Sequence, residues 1–427
     1  MADKCSPNTG SLQNSILKPW DEALRKIDDF FRDHTILDYC IKQFFVCLHP
    51  TIPILSHEFI EELKTEAAET DAVESRCVLA AMCAQVILQT EDPDGFIYRS
   101  ILPDRNGGYG RALFEAALST HRGSQRQGSS TFKQCLLSFF LYACQVRLSH
   151  HSQAFISLRE STTHLLLLRL KDEAQKWQLL IDRLFWVLLI SERSHAIRYR
   201  RPATLILSPS TPPIDYADGS LEGFRALAGL FKPIDTTFIA FLNEEIVFQV
   251  PGTDTLEKVE TAINTAINPA TVLKDSQKAN LRITQRWLRI IIWQLRVRLG
   301  HLTGSSIQQS LTFQYPLLVA RDLVLCTKNL PISCIEVHGV GVTEKIFDVA
   351  SAVIDVLAPV PFRAINGNDD IPDEDIRYLR QLIRKLPGGI EVYDRLLEQH
   401  IEETIPGFFE KLIESEQDGD EIANDTP

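Results

Sequence analysis

The sequence predicts an all-α protein, an irregular array or bundle of helical hairpins. Three observations carry that expectation. Apolar residues recur at helical spacing, as in Leu24, Ile27, Phe30 and Phe31, or Tyr39, Ile41, Phe44, Phe45 and Leu48. The breaks between such stretches are short and either polar or rich in proline and glycine, which pairs neighbouring helices in antiparallel fashion. No segment repeats at a fixed period, so the array is not a regular solenoid.

Residues 1–18 are polar, with Pro, Asn, Gly and Ser, and are expected to be disordered. Trp20–Cys47 reads as one or two amphipathic helices, and Pro50 and Pro53 make the next stretch a connector. Ser56 is placed to cap a helix over His57–Glu69. Ala72–Thr90, rich in alanine and leucine, reads as a core helix. Glu91–Gly95 and Leu102–Gly110 read as turns. The stretch DRNGGYG (104–110) has the glycines of a phosphate-cradling loop but neither its lysine nor a preceding strand, so an exposed loop is expected. After the polar loop 123–130, helices are expected over Phe132–Leu148, Gln153–Leu170 and Ala174–Tyr199. Prolines 202, 209, 212 and 213 force an extended strap across the helical body. Leu221–Val250 is helical and divided at Pro233, and Thr255–Ile267, Leu281–Leu299 and Ser310–Thr327 follow. Gly339–Gly341 interrupts before a helix over Thr343–Leu357, with Thr343 as its cap. Beyond Pro359 and Pro361 the composition turns acidic, so the body is expected to end near residue 360. Two short amphipathic helices are expected beyond it, over Asp373–Leu386 and from Ile390 to Ile405.

With 427 residues and 44% hydrophobic content, the chain can bury a large core. Its net charge of −12 is concentrated at one end: residues 364–427 hold 17 acidic and 6 basic residues. The remaining body is close to neutral, which is not the basic surface that meets phosphates. The apolar runs fall short of the roughly 20 residues that cross a bilayer. The start MADKCSPNTGSLQNS has no apolar signal region, so a cytosolic or nuclear protein is expected. Nine scattered cysteines, mostly in apolar helical patterns, read as small hydrophobes. No enzyme signature is present. His57-Glu58 lacks the second histidine of a zinc-protease helix, there is no nucleophile elbow, and HGVG at His338 has no activated serine beside it. No catalytic residue, metal ligand or cofactor is expected.

Two helices carry the candidate site. LFWVLLISERSHAIRYRRPATL (184–205) runs from an apolar stretch into Arg193, Arg198, Arg200 and Arg201, with His195 among them and Pro202 closing the helix. Cations near a helix C-terminus complement its dipole, and the same cluster is a candidate regulatory, anion or partner site. In the second helix Arg282, Arg286, Arg289 and Arg296 share one face. A salt-bridged or solvated face is the plain account of that stripe. A groove for an anion, an acidic partner or the chain's own acidic tail is the functional one.

FWVLLISERSHAIRYRRPATL resembles the segment of the fungal binuclear zinc cluster transcription factors in which an aromatic-rich helix leads to Asp/Glu-Arg and then an Arg-Pro pair. Residues 41–59, 281–297 and 338–357 are similar to the same family, in particular to its starch- and maltose-type activators. The resemblance implies a middle homology, or regulatory, domain over 19–360 followed by an acidic region over 361–427, in which Phe408, Phe409, Leu412 and Ile413 interleave with acids as in an activation segment. It further implies a nuclear transcriptional regulator of a fungal metabolic or biosynthetic (secondary-metabolite) gene set. A binuclear zinc cluster needs six cysteines with CxxC pairs. This chain contains no CxxC, so zinc is expected only from a cluster encoded upstream, and no direct DNA contact or membrane contact is expected of these residues. The implied partners are the transcription machinery, a DNA-binding relative, a second copy of the chain and a small-molecule effector. Two alternatives stay open: a modulator without DNA binding that dimerises with a full-length relative, and a helical small-molecule-binding protein.

Overall fold

The structure is a computed structural model and describes residues 19–32, 34–69, 72–90, 106–123, 130–168, 176–214, 219–245, 251–304, 306–358 and 371–406. Those residues form helices and connectors with no strand, so the protein is all-α. The helices are α1 (Pro19–Arg32), α2 (His34–Gln43), α3 (His57–Ala67), α4 (Val73–Gln89), α5 (Asn106–Gly123), α6 (Phe132–Arg147), α7 (His151–Leu168) and α8 (Gln178–Tyr199). They continue as α9 (Glu222–Phe231), α10 (Thr236–Leu242), α11 (Thr253–Thr265), α12 (Asp275–Arg298), α13 (Tyr315–Thr327) and α14 (Ile332–Glu336). The last three are α15 (Val340–Leu357), α16 (Ile371–Arg384) and α17 (Asp394–Thr404). Residues 1–18, and the acidic stretch from 407 on, lie outside the described residues.

Apolar side chains gather in two cores. Helices α1 to α11 enclose the first, and α13 to α17 the second. Helix α12 serves both: Leu281, Trp287, Leu288 and Ile292 face the first core, and Ala279, Ile283, Ile290 and Trp293 face the second. A helix apolar on most of its circumference has to be wrapped on most sides. Residues 359–370, where the body was expected to end, are outside the described residues. Beyond them α16 and α17 pack on α15 in the second core, through Leu379, Ile383, Leu397 and Ile401.

Several local expectations are met. The Ser56 hydroxyl accepts from the Phe59 amide at 3.1 Å and caps α3. The proline strap lies along α8: Trp186 Nε1 donates to the Pro212 carbonyl at 3.0 Å, and the Leu205 amide donates to Glu192 at 2.8 Å. Of the nine cysteines, Cys40, Cys77, Cys83, Cys135 and Cys144 are buried and free, and burial pushes the Cys77 and Cys135 thiols up to about 12.

Two others are corrected. Residues 106–110, expected as a loop, form the start of α5. Gly110 lets that helix close on α4, because a Cβ there would lie 3.0 Å from Ile87. Helix α15 begins at Val340, not Thr343, because Gly339 makes the turn at φ +67°. Thr343 is inside the helix, where its hydroxyl donates to the Pro387 carbonyl at 2.9 Å.

Arginines from neighbouring helices take the carbonyls that helix C-termini leave open. Arg76 meets the Ala67 carbonyl at the end of α3, and Arg147 the Leu88 carbonyl at the end of α4. Arg298 meets the carbonyls of Phe241 and Leu242 at the end of α10. Deeper, Arg296 pairs with Glu260 of α11 at 2.7 Å, and Glu260 also accepts from the Tyr315 hydroxyl at 2.7 Å. Removing one partner of such a pair leaves the other charge buried and costs about 3–5 kcal/mol. Arg296→Met is therefore expected to lower the urea unfolding free energy by about that much, and adding Glu260→Gln is expected to restore part of it. A loss below about 1 kcal/mol for Arg296→Met alone would show that the pair does not anchor α11.

Candidate functional site

Helices α8, α12 and α15 meet where the two cores adjoin, and they leave a cavity of about 210 Å³. Phe139 and Tyr142 of α6, Leu227 and Phe231 of α9, and Cys47 and Leu48 of a single π-helical turn (Phe44–Leu48) complete its wall. Helix α15 brings two acids into this interior, and each is held. Arg198 of α8 bonds the Asp348 carboxylate and the Glu344 carbonyl, and its Nε lies 3.0 Å from Glu344 Oε2. Glu344 Oε1 accepts from the hydroxyls of Tyr199 and Tyr393, each at 2.6 Å. Asp348 also accepts from Trp287 Nε1 at 2.8 Å. Burial pushes the Asp348 carboxyl upward, and the Arg198 charge opposes it.

Two groups at the cavity keep hydrogen-bonding capacity in reserve. Lys345 Nζ donates to Thr284 Oγ1 at 2.9 Å and lies 5.4 Å from the Trp287 ring centre. An ammonium has three donor hydrogens, and this one uses one of them on the protein. Burial lowers its pKa to about 8, with Glu344 opposing and Arg198 adding to the effect. The His195 ring stacks on Phe155, with centroids 5.6 Å apart and planes 11° from parallel. The residue is 4% exposed, and its Nε2 has no hydrogen-bond partner. Burial lowers its pKa to about 4, helped by His151 and Arg201, so the ring is neutral at pH 7. His338, also at the cavity, is likewise lowered to about 4 by burial, but its Nε2 is 2.8 Å from the Ser276 carbonyl.

The arginines and histidine singled out in the sequence do not form one cluster. Arg198 and His195 line the cavity. Arg193 is buried and donates to the carbonyls of Phe231 and Lys232 at the end of α9. Arg200 ends α8 in the left-handed conformation, φ 53°, and bonds the Leu242 carbonyl. The Arg201 guanidinium lies 5.7 Å from the Phe155 ring centre. On α12, Arg289 bonds the Tyr315 hydroxyl at 2.8 Å and Asp322 at 3.0 Å. Arg286 bonds Gln285, its pKa lowered by burial, and Arg282 is exposed. Glu344, Lys345, Asp348 and Trp287 escaped the sequence reading. A signal for them exists: Glu344, Lys345 and Asp348 lie within one turn of the largely apolar α15, and charges placed there require partners.

A second hollow of about 730 Å³, between α8, α12 and α15, is lined by Leu242, Ile291, Trp293 and Val356, with Arg200 and Arg298 beside them. Both arginines are committed to α10 carbonyls, so the central cavity is the chemically equipped one. Among the described residues, no group of three or more His, Cys, Asp or Glu could hold a metal ion, and no helix is long and apolar enough to cross a membrane.

No family model and no solved structure matches the chain. It is 26% identical over 301 residues to the probable sucrose utilization protein SUC1 of Candida albicans, which covers 66% of this chain and 58% of that one. It is 23% identical over 346 residues to the respiratory transcription factor ZNF1 of Saccharomyces cerevisiae, with 75% and 69% covered. With the maltose fermentation regulatory protein MAL13 of the same yeast it shares 24% identity over 185 residues, 42% of this chain and 38% of that one. The chain is homologous to fungal transcription regulators. The match spans just over half the length of the Candida relative.

The neutral imidazole makes a testable demand on pH. The His195 pKa lies below the ordinary 6.5, so the unfolded chain takes up this proton first. The associated stability is fully present above pH 6.5 and is lost as pH falls toward 4. His195→Phe keeps the aromatic ring and removes the titration. Between pH 7 and 4.5 the wild type is expected to lose about 2–3 kcal/mol more unfolding free energy in urea than the variant does. Parallel pH profiles would contradict the assignment.

Proposed function

We propose that the protein is a nuclear transcription regulator of sugar-utilisation genes whose helical body responds to a small molecule held in the central cavity. One observation carries the effector half of this reading: a cavity at the junction of two cores, with an unpartnered imidazole nitrogen and an ammonium that uses one of its three donors. Buried polar groups are normally satisfied, so those two mark a place for a ligand. The relatives named for sucrose utilization and maltose fermentation support the regulatory half, and they favour a sugar gene set over a biosynthetic one. A ligand that bridges α8, α12 and α15 favours one packing of the two cores over another and so shifts a population. In this reading the acidic stretch from residue 407 on meets the transcription machinery. DNA is reached through a zinc cluster or a DNA-binding partner supplied from outside these residues.

The test is a reporter in yeast. The full chain is fused to a heterologous DNA-binding domain, and expression is compared with and without maltose or sucrose. The expected result is a rise of at least about fivefold, corresponding to about 1 kcal/mol of coupling, in the presence of sugar. Ser194→Leu, which fills the cavity, is expected to flatten the response at equal protein level. A reporter unmoved by sugar in the wild type contradicts the proposal. If the tethered chain is silent but suppresses a co-expressed relative, it is the dimerising modulator.

A further inference from the structure

The second hollow, away from the polar network, also lies where the two cores meet. Ile197, Ile291 and Leu295 of its wall belong to the first core, and Trp293 and Val356 to the second. Val297 and Phe313, which also line it, are 42% and 54% exposed. Large apolar side chains grouped around a recess and left facing water mark a place for another apolar surface. Polar groups stand beside them: Arg200, Arg298, Gln294 and Asp355. Arg200 uses Nη1 alone on protein acceptors, the Leu242 carbonyl and Glu244, so its other N–H donors stay available.

The course of α17 decides what can reach this hollow. The helix runs parallel to α15. Tyr393, just before its start, donates to Glu344 at 2.6 Å in the first half of α15, and His400 Nε2 lies 2.9 Å from Asp355 Oδ1 in the last turn. Asp355 itself lines the hollow, so α17 carries the chain to the hollow's edge. Thr404 ends the helix about one turn beyond His400, and Pro406 is exposed. Four residues of extended chain span about 13 Å, which puts Phe408 within range of the recess.

The segment that follows, outside the described residues, matches the recess in chemistry. In GFFEKLIESE (407–416), Phe408, Phe409, Leu412 and Ile413 share one face at helical spacing, with Glu410, Lys411 and Glu414 on the other. An apolar stripe of this kind laid into an apolar recess is the helix-in-groove mode of recognition. The charges also correspond, since the acids of the segment meet a rim with Arg200 and Arg298, and Lys411 has Asp355. We infer that the segment Phe408–Ile413 docks its apolar face into the hollow between α8, α12 and α15 of its own chain and so closes a second clasp across the two cores. A second copy or a foreign peptide has to be present at sufficient concentration to fill the recess. A segment tethered at Thr404 is supplied at an effective concentration set by its short link. The contact stands whether or not the central cavity holds an effector.

Hydrogen exchange read by mass spectrometry on the purified full chain tests this. A helix of so few residues is marginal by itself in water, so protection of its amides requires a surface. The amides of 409–414 are expected to exchange at least about tenfold more slowly than in a free peptide. The same protection is expected at two protein concentrations, with light scattering reporting the mass. Val297→Glu and Phe313→Glu, both at exposed positions, are each expected to abolish most of it while α4 and α6 exchange as before. Phe409→Ser with Leu412→Ser leaves the described body untouched, and it is expected to speed exchange in the last turn of α12. Free exchange of the segment in the wild type overturns the inference. So does protection that survives both rim substitutions, and so does a last turn of α12 unmoved by the segment variant. Protection that rises with concentration alongside a dimer mass gives the recess to a second copy and overturns the intramolecular contact.

Discussion

Arg198 is the interaction on which the arrangement depends. It stands on α8, in the first core, and reaches Glu344 and Asp348 on α15, in the second. A buried carboxylate such as Glu344, and a partly buried one such as Asp348, need a cation or donors to meet them. Arg198 supplies the cation, and Tyr199, Tyr393 and Trp287 supply the remaining donors. The two acids therefore make α15 compatible with only one register against α8 and α12. The cavity lies at that network: Arg198, Tyr199, Glu344 and Trp287 line it together with Phe139, Leu227 and Phe231.

The other arginines behave in the same way at smaller scale. Arg76, Arg147, Arg193 and Arg298 each close the carbonyl end of a helix other than their own. Arg289 and Arg296 join α12 to its neighbours through acids and a tyrosine hydroxyl. A guanidinium suits this work because its planar fork of donors stays charged when buried. Several cations of the body, among them Arg193, Arg198 and Arg296, are thus turned inward against carbonyls and acids.

Much of the helical order was legible in the sequence because it rests on local periodicity. Ser56, the proline strap and the break at Pro233 were legible for the same reason, since caps and prolines act on their immediate neighbours. What was not legible depends on residues far apart in the chain. The helical start of α5 reads as a loop because its glycines are poor helix formers, and only the approach of α4 to Gly110 explains them. Thr343 reads as a cap until the Pro387 carbonyl, 44 residues away, comes into view. The arginine-rich end of α8 announced positive charge correctly, but Arg198 finds its acids about 150 residues downstream. Lys345 gave no signal beyond being a lysine on an apolar helix. Its meaning depends on a cavity that local spacing does not encode.

The Arg198 network joins the two cores at the cavity, and it is expected to make them one cooperative unit. Native-state hydrogen exchange on the full chain, compared with Arg198→Met, measures it most directly. In the wild type, amides of α8, α12 and α15 are expected to open with one common free energy. In the variant, α15 to α17 are expected to exchange at a lower free energy than α4 and α6, so that the two cores separate. Uniform weakening of all helices, or protection of α15 unchanged by the substitution, would contradict the account.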